Sequence, residues 1–578
     1  MAASARQKPA PANMNRSRPF SGFQLTETCV EFDDGKGGIP IFVCSRLEIV
    51  AETRNAHGES WGKLLIWRDS DGVQHEWPMS LALLAGDGVE VVARLLSGGL
   101  KVAAEPKVRK LLIQYLASTG SDARACCVDQ PGWHGDAYVT SQRIYGDTSG
   151  ERVVVTASAA TAPPAHKGTL QGWQKEVAAH AVGNSRLVLA ISSALAGPLL
   201  RIADEEGFGF HLSGGSSGGK TTAVQVAASV WGAPINSWRV TDNAAEGLAR
   251  NANDGFLALD ELSQADGHAA SAMAYMLGNG QGKGRMTRDV SLKPTATWRV
   301  LFLSTGEEGL AEKMSEAGRP SKAGQAVRMI DVPSDSGVGL GLFENLHGFA
   351  LGADFAQHFR GAIDRHCGHA ISAFLEHIST DRRVTTQIVQ RHMQKWLNEH
   401  LPVGADGQVG RVARRFALTA AAGELATEAE ILPWPEGEAS RGAAVCFASW
   451  IGRRGGIGSA ESRAGLLQVK AFIEAHGASR FEFVGGGDSD LNSEKVINRA
   501  GFRRRTIDGR WEYLVMPEAW RNDVCRGLEP TTVAKDLIAR GLLDPGREGR
   551  TAKAEYVPGH GKMRLYHLRA DLMGKAAE

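Results

Sequence analysis

Little in this chain of 578 residues suits a disulfide scaffold, a membrane protein or a small basic nucleic-acid binder. Its seven cysteines (Cys29, Cys44, Cys126, Cys127, Cys367, Cys446 and Cys525) include no C-x-x-C pair. An odd count argues against a closed disulfide framework, and the spacing argues against a zinc ribbon, so a reducing cytoplasm is expected. No apolar run is long enough to span a bilayer, and the residues up to about Arg18 lack the hydrophobic core of a secretion signal. Membrane partners are not expected. With 65 Lys and Arg against 64 Asp and Glu, the formal charge is only +1, so any nucleic-acid contact must be local. Internal repeats are missing as well.

What is there centres on Gly214-Gly215-Ser216-Ser217-Gly218-Gly219-Lys220-Thr221-Thr222, which satisfies the phosphate-loop pattern G-x-x-x-x-G-K-[ST]. Gly207 to Leu212 before it reads as a short buried strand. Ala223, Val226, Ala227 and Val230 after it fall at helical spacing. Glycines let successive backbone N–H groups face phosphate oxygens, with the positive helix end aimed at the same anion. All nine residues are therefore candidates for holding ATP. Lys220 is expected on the β- and γ-phosphates, and the Thr221 hydroxyl on a magnesium ion.

About forty residues on, Gly255-Phe256-Leu257-Ala258-Leu259-Asp260-Glu261 reads as a strand ending in two acids, a Walker B element. Asp260 is expected to hold the magnesium through water and Glu261 to act as general base. Trp298 to Glu307 forms a second buried strand closing on Ser304-Thr305. In ATPases of the additional-strand class such a strand ends in a polar residue that orients the lytic water. Either hydroxyl fits, and Ser304 is the preferred sensor. Between these strands, Gly278 to Arg288 alternates glycines with Lys283, Arg285 and Arg288. Such a cationic loop could follow a DNA backbone or face a neighbouring subunit's nucleotide, or be a plain surface hairpin. Downstream, Arg328 in Gly324-Gln325-Ala326-Val327-Arg328 is the candidate arginine finger, with Arg319 as its rival. Arg411 or Arg414 could reach the phosphates from a lid or lie on a solvated helix face.

The length predicts several domains. Residues 1–18 read as a disordered tail and 19–157 as an accessory α+β domain of short strands with one clear helix, Lys107 to Ala117. A linker rich in Ala, Thr and Pro follows. Residues 168–335 are expected to form the ATPase core, 336–435 a helical lid region and 455–578 a winged-helix-like unit. In that last unit, Phe502-Arg503-Arg504-Arg505, Trp511 and Tyr566 could meet duplex DNA or serve packing alone. The fold class expected is thus α/β, a P-loop NTPase core of AAA+ type with accessory domains at both ends.

Taken together, Ser213 to Thr222, Leu259-Asp260-Glu261, Gly278 to Arg285, Leu303 to Glu307 and Gly324-Gln325 with Arg328 resemble the domain-of-unknown-function 927 family. That bacterial and phage family is often labelled helicase-like, and the resemblance runs from about Phe20 to Trp434. The motifs are also similar to superfamily III replicative helicases, although the third motif here ends in Ser-Thr-Gly-Glu where those present an asparagine. The resemblance implies a bacterial cytoplasmic DNA helicase or translocase serving a phage, plasmid or mobile element. It also implies a hexameric ring with Arg328 acting in trans, Lys283 facing the pore, single-stranded or forked DNA as partner, and a separate primase. The competing expectation is a nucleotide-gated assembly or defence module without unwinding.

Overall fold

The structure is a computed structural model that describes residues 22–148, 150–156, 164–286, 292–293, 295–316, 323–458, 460–485, 496–547 and 550–573. The expected tail 1–18, most of the 157–166 linker, Arg288 and Arg319 lie outside the described residues. The chain divides into two compact units. One comprises Met1–His400 with Val412–Trp450, and the other Leu401–Arg411 with Ile451–Glu578. Among the described residues no helix is long and apolar enough to cross a membrane.

The first unit is built on five parallel strands: β1 (Phe208–Ser213), β2 (Ile235–Ser237), β3 (Gly255–Asp260), β4 (Val300–Gly306) and β5 (Met329–Pro333), in spatial order β2-β3-β4-β1-β5. β1 and β4 are buried at every residue, as expected of central parallel strands covered by helices on both faces. The covering helices include α1 (Ser185–Ala196), which is buried throughout, and α2 (Lys220–Trp231). Sheet packing is close enough that Gly209 of β1 has no room for a side chain, since an added Cβ would lie 2.1 Å from the Phe302 ring on β4.

An N-terminal mixed sheet precedes this core. Its strands run in the order Arg152–Val155, Arg124–Val128, Leu47–Asn55, Gly62–Arg68 and Gln74–Ser80, with helices Val89–Ser97 and Pro106–Ser118 on one apolar cluster. A small antiparallel sheet from Gly132–His134 to Ile144–Tyr145 ties this region to the core through buried Asp254. That carboxylate accepts from the Trp133 backbone N–H at 3.0 Å and from Arg201 Nε at 3.0 Å, while Tyr138 donates its hydroxyl to the Asp254 carbonyl at 2.8 Å.

After β5 come the helices Gly352–Arg365, His369–Thr380, Arg382–His400, Gly407–Glu428 and Glu438–Arg454. The helical region therefore continues past Trp434, because Pro433 and Pro435 mark a turn between two helices and not its end. The second unit carries helix Ala460–His476, helix Pro530–Ala539 and a six-stranded sheet with its own apolar cluster.

Gly209→Ala is expected to lower stability by about 1–3 kcal/mol through overpacking against Phe302. Urea unfolding of the full chain checks this, and an unchanged midpoint would mean that β1 and β4 can move apart.

Candidate nucleotide site

Three of the parallel strands end side by side, and the side chains at their C-terminal ends make the site. β1 runs into the phosphate loop and α2 starts at Lys220. The residue before it, Gly219, has φ 89°, the left-handed region where a glycine is at ease. No side chain caps α2, so its first N–H groups remain available to a bound anion. The Lys220 ammonium is folded back on the loop and donates to the Gly214 carbonyl at 2.7 Å and the Gly215 carbonyl at 2.5 Å. Both acceptors are the loop's own backbone, so the ammonium can exchange them for phosphate oxygens without moving far.

β3 ends in Asp260, and Glu261 follows with φ 62°, an uncommon conformation for a residue with a side chain. Strain of that kind persists where neighbours hold it in place. Here the Glu261 N–H donates to Asp260 Oδ1 at 3.1 Å, and the Glu261 carboxylate accepts from the Ser263 hydroxyl.

The end of β4 corrects the sensor assignment. Successive side chains of a strand face opposite sides, so Ser304 and Thr305 cannot share a role. Thr305 faces the site and donates its hydroxyl to Asp260 Oδ1. Ser304 is fully buried on the other side, where its oxygen accepts from Trp238 Nε1 at 2.8 Å and its proton faces His211 Nδ1 at 2.9 Å. His211 Nε2 lies 3.0 Å from the Glu308 carbonyl, which can only accept, so this nitrogen carries the proton and Nδ1 is the acceptor. Ser304 is thus a structural link between β1, β4 and Trp238, and Thr305 is the hydroxyl that faces Asp260.

Sequence reasoning also missed the segment after β5. Ser334 N–H donates to the Ser213 carbonyl at 2.8 Å, and Leu342 N–H donates to the Gly218 carbonyl at 2.9 Å, so residues 334–342 run along the phosphate loop and brace it. Buried Arg186 at the start of α1 fixes this segment. It donates to the carbonyls of Pro333 (3.2 Å) and Asp335 (3.0 Å) and pairs with Glu344 at 3.3 Å. The three glycines Gly337, Gly339 and Gly341, spaced by two, were the available signal.

The remaining candidates lie elsewhere. Arg328 immediately precedes β5, whose residues from Met329 to Pro333 pair in parallel with Gly209 to Ser213. It therefore stands about 20 Å along the strands from its own phosphate loop. Its guanidinium sits 4.8 Å from the Tyr275 ring and donates to the Gly324 carbonyl at 3.1 Å. The structure does not bring Arg328 together with Lys220 of the same chain. The loop with Lys283 and Arg285 leaves helix α3 (Gly267–Asn279), is closed at its base by the Gln281 to Thr297 bridge, and forms a hairpin in which Arg285 pairs with Lys293. It joins the N-terminal end of β4, away from the phosphate loop. Lys283 is not a bare cation there: its ammonium pairs with Asp242. Arg414 is likewise drawn to Glu205, just before β1, and not to the phosphate loop.

The fold is similar over nearly the whole chain to the solved structure described as "SCCmec type IV Cch - active helicase". The match covers 96% of this chain and 99% of that chain, with a TM-score of 0.71 at 15% sequence identity. The fold is helicase-like. Residues 23–297 match the model of the family described as domain of unknown function (DUF927). The match ends before β4, so Thr305 and Arg328 lie outside it, as does the rest of the range to Trp434. The A-form apo structure of the NrS-1 C-terminal region is matched over 65% of this chain and 84% of that chain, with 9% identity and a TM-score of 0.25. Among curated proteins none matches.

Ser304→Ala is expected to cost about 1–3 kcal/mol by leaving the Trp238 N–H and His211 without their shared partner. Chemical denaturation measures it, and a neutral result would mean that water replaces the hydroxyl.

Proposed function

We propose that this chain is an ATP-dependent DNA helicase or translocase that works as a ring and serves replication of a phage, plasmid or mobile element. The observation that carries the reading is the bond from Thr305 to Asp260 beside the loop of Lys220, with β4 lying between β1 and β3. That arrangement gives an ATPase its three needs on one sheet edge: a phosphate cradle, an acidic pair and a polar group to orient water.

Hydrolysis then proceeds as follows. The N–H groups at the start of α2 and the Lys220 ammonium hold the β- and γ-phosphates. Because Asp260 and Thr305 lie on the β3 and β4 side of β1, the γ-phosphate faces that side. The nucleoside leaves toward β5, where Val338 and Leu340 of the bracing segment are 58% and 41% exposed. Glu261 takes a proton from the attacking water, and Thr305 orients it. The donors suit a hard cation, so Thr221 and Asp260 would hold magnesium, which supplies charge neutralisation on the phosphates when bound. Arg328, too far from its own loop, acts on the site of the next subunit. The hairpin of Lys283 and Arg285 meets the DNA backbone, with Arg288 beyond it in sequence.

The test is ATP hydrolysis with and without single-stranded DNA, alongside strand displacement on a forked duplex. DNA-stimulated hydrolysis with displacement is expected. Stimulation without displacement would leave the nucleotide-gated module in place of the helicase. Thr305→Val should slow hydrolysis by about 10²-fold, in the range for a lost polar group at a reacting centre. Ser304→Ala should act on stability more than on turnover, and the reverse order would return the sensor role to Ser304. Arg328→Ala should spare nucleotide binding while slowing hydrolysis by at least about 10³-fold, the range of an arginine finger. Unchanged turnover there would rule out a shared site at that residue.

A further inference from the structure

Three consecutive arginines in the second unit face two different environments. They lie on β7 (Gly501–Arg505), between β6 (Phe481–Phe483) and β8 (Trp511–Val515), with Phe483 paired to Arg503 and Arg505 paired to Trp511. Arg504 points to one face and is saturated there, donating to Glu512 at 2.9 Å and Glu555 at 2.7 Å, with His567 at 3.2 Å. Burial alone would raise the Glu512 carboxyl, but hydrogen bonds from Arg504 and His567 outweigh it and hold that group below its ordinary range. This face is a network of paired charges.

The other face is different. Arg503 and Arg505 each place the guanidinium carbon 4.8 Å from the Trp511 ring centroid, and neither has a carboxylate within ion-pair distance among the described residues. Arg503 Nε is buried without a hydrogen-bond partner. Phe483 meets the Trp511 ring edge-on at 5.8 Å and is itself 45% exposed. Two residues back along the same strands, Phe481 and Tyr513 are buried in the apolar cluster of this unit. The sheet face thus forms a shelf of two guanidinium groups laid over the half-buried Trp511, with the exposed Phe483 ring at its side. Tyr566, the other aromatic singled out in the sequence, is instead stacked on Trp520 at 4.5 Å.

We propose that this shelf, formed by Phe483, Arg503, Arg505 and Trp511, binds single-stranded nucleic acid. The chemistry selects the ligand. Unpaired guanidinium groups held against a ring are short of anionic partners and suit phosphates. The exposed Phe483 ring beside them suits an unstacked base, which a duplex keeps inside its stack and an acidic peptide lacks. The site is separate from the phosphate loop and needs no nucleotide.

Binding of a labelled twelve-residue oligo-dT to the full chain, without nucleotide, tests it by fluorescence anisotropy. Arg503→Gln combined with Arg505→Gln should weaken binding about tenfold or more. It should also reduce the slope of log affinity against log salt by about 1.4, at about 0.7 for each lost phosphate contact on a single strand. ATP hydrolysis without DNA should stay as in the parent chain. Arg503→Lys with Arg505→Lys should recover the salt slope but not the full affinity. Unchanged affinity in a folded Gln variant overturns the proposal, as does equal affinity for duplex or equal competition by polyglutamate. Should the Gln variant not fold, photocrosslinking of the parent chain to an oligonucleotide carrying 5-iodouracil decides. Crosslinks at Phe483 or Trp511 support the shelf, and crosslinks confined to other segments overturn it.

Discussion

The alternation of side chains along β4 is the constraint on which the site depends. This strand is buried on both faces between β1 and β3, and its last two polar residues are adjacent, so one must face the acidic pair and the other must face the interior. The interior one then needs partners, because a buried hydroxyl without them is costly. His211 from β1 and Trp238 from the segment after β2 supply these, and the result is a bonded cross-link beneath the site. The position of Thr305 against Asp260 is therefore secured by what Ser304 does on the opposite side.

Much of the core could be read in the sequence because its signals are local. The glycine spacing before Lys220, the apolar runs ending at Asp260 and at Thr305, and the helical spacing after the loop each report on a few consecutive residues. What could not be read depends on register. Val300 to Gly306 is apolar on both faces, so no polar alternation told Ser304 from Thr305. The same holds for Phe502-Arg503-Arg504-Arg505, where the composition shows positive charge but only the pairing with Trp511 and Tyr513 shows which arginines face outward. The bracing segment 334–342 was missed for another reason: glycines that serve a close approach between distant segments look in sequence like any loop.

Backbone strain and spare hydrogen-bond capacity coincide at the sheet edge. Glu261 in a left-handed conformation, an uncapped α2 and a lysine resting on the carbonyls of its own loop all represent arrangements that a globular core would avoid. The phosphate loop is held from behind by Ser334 and Leu342, whose segment Arg186 fixes, and Glu261 is held by Asp260 and Ser263. The chain invests a fully buried arginine at a place distant in sequence from every motif, and that arginine fixes the shape of the loop's surroundings.

β4 also has a mechanical meaning. The base of the cationic hairpin closes at Thr297 and the hydroxyl bonded to Asp260 sits at Thr305, so eight residues of nearly uninterrupted extended chain join the two. An extended chain of that length spans about 26 Å and can hardly be stretched. From Leu301 to Ser304 it is paired on both sides, with β1 and with β3, and this middle stretch resists bending. A small shift of the threonine at one end must appear with little loss at the other, with no hinge between to absorb it.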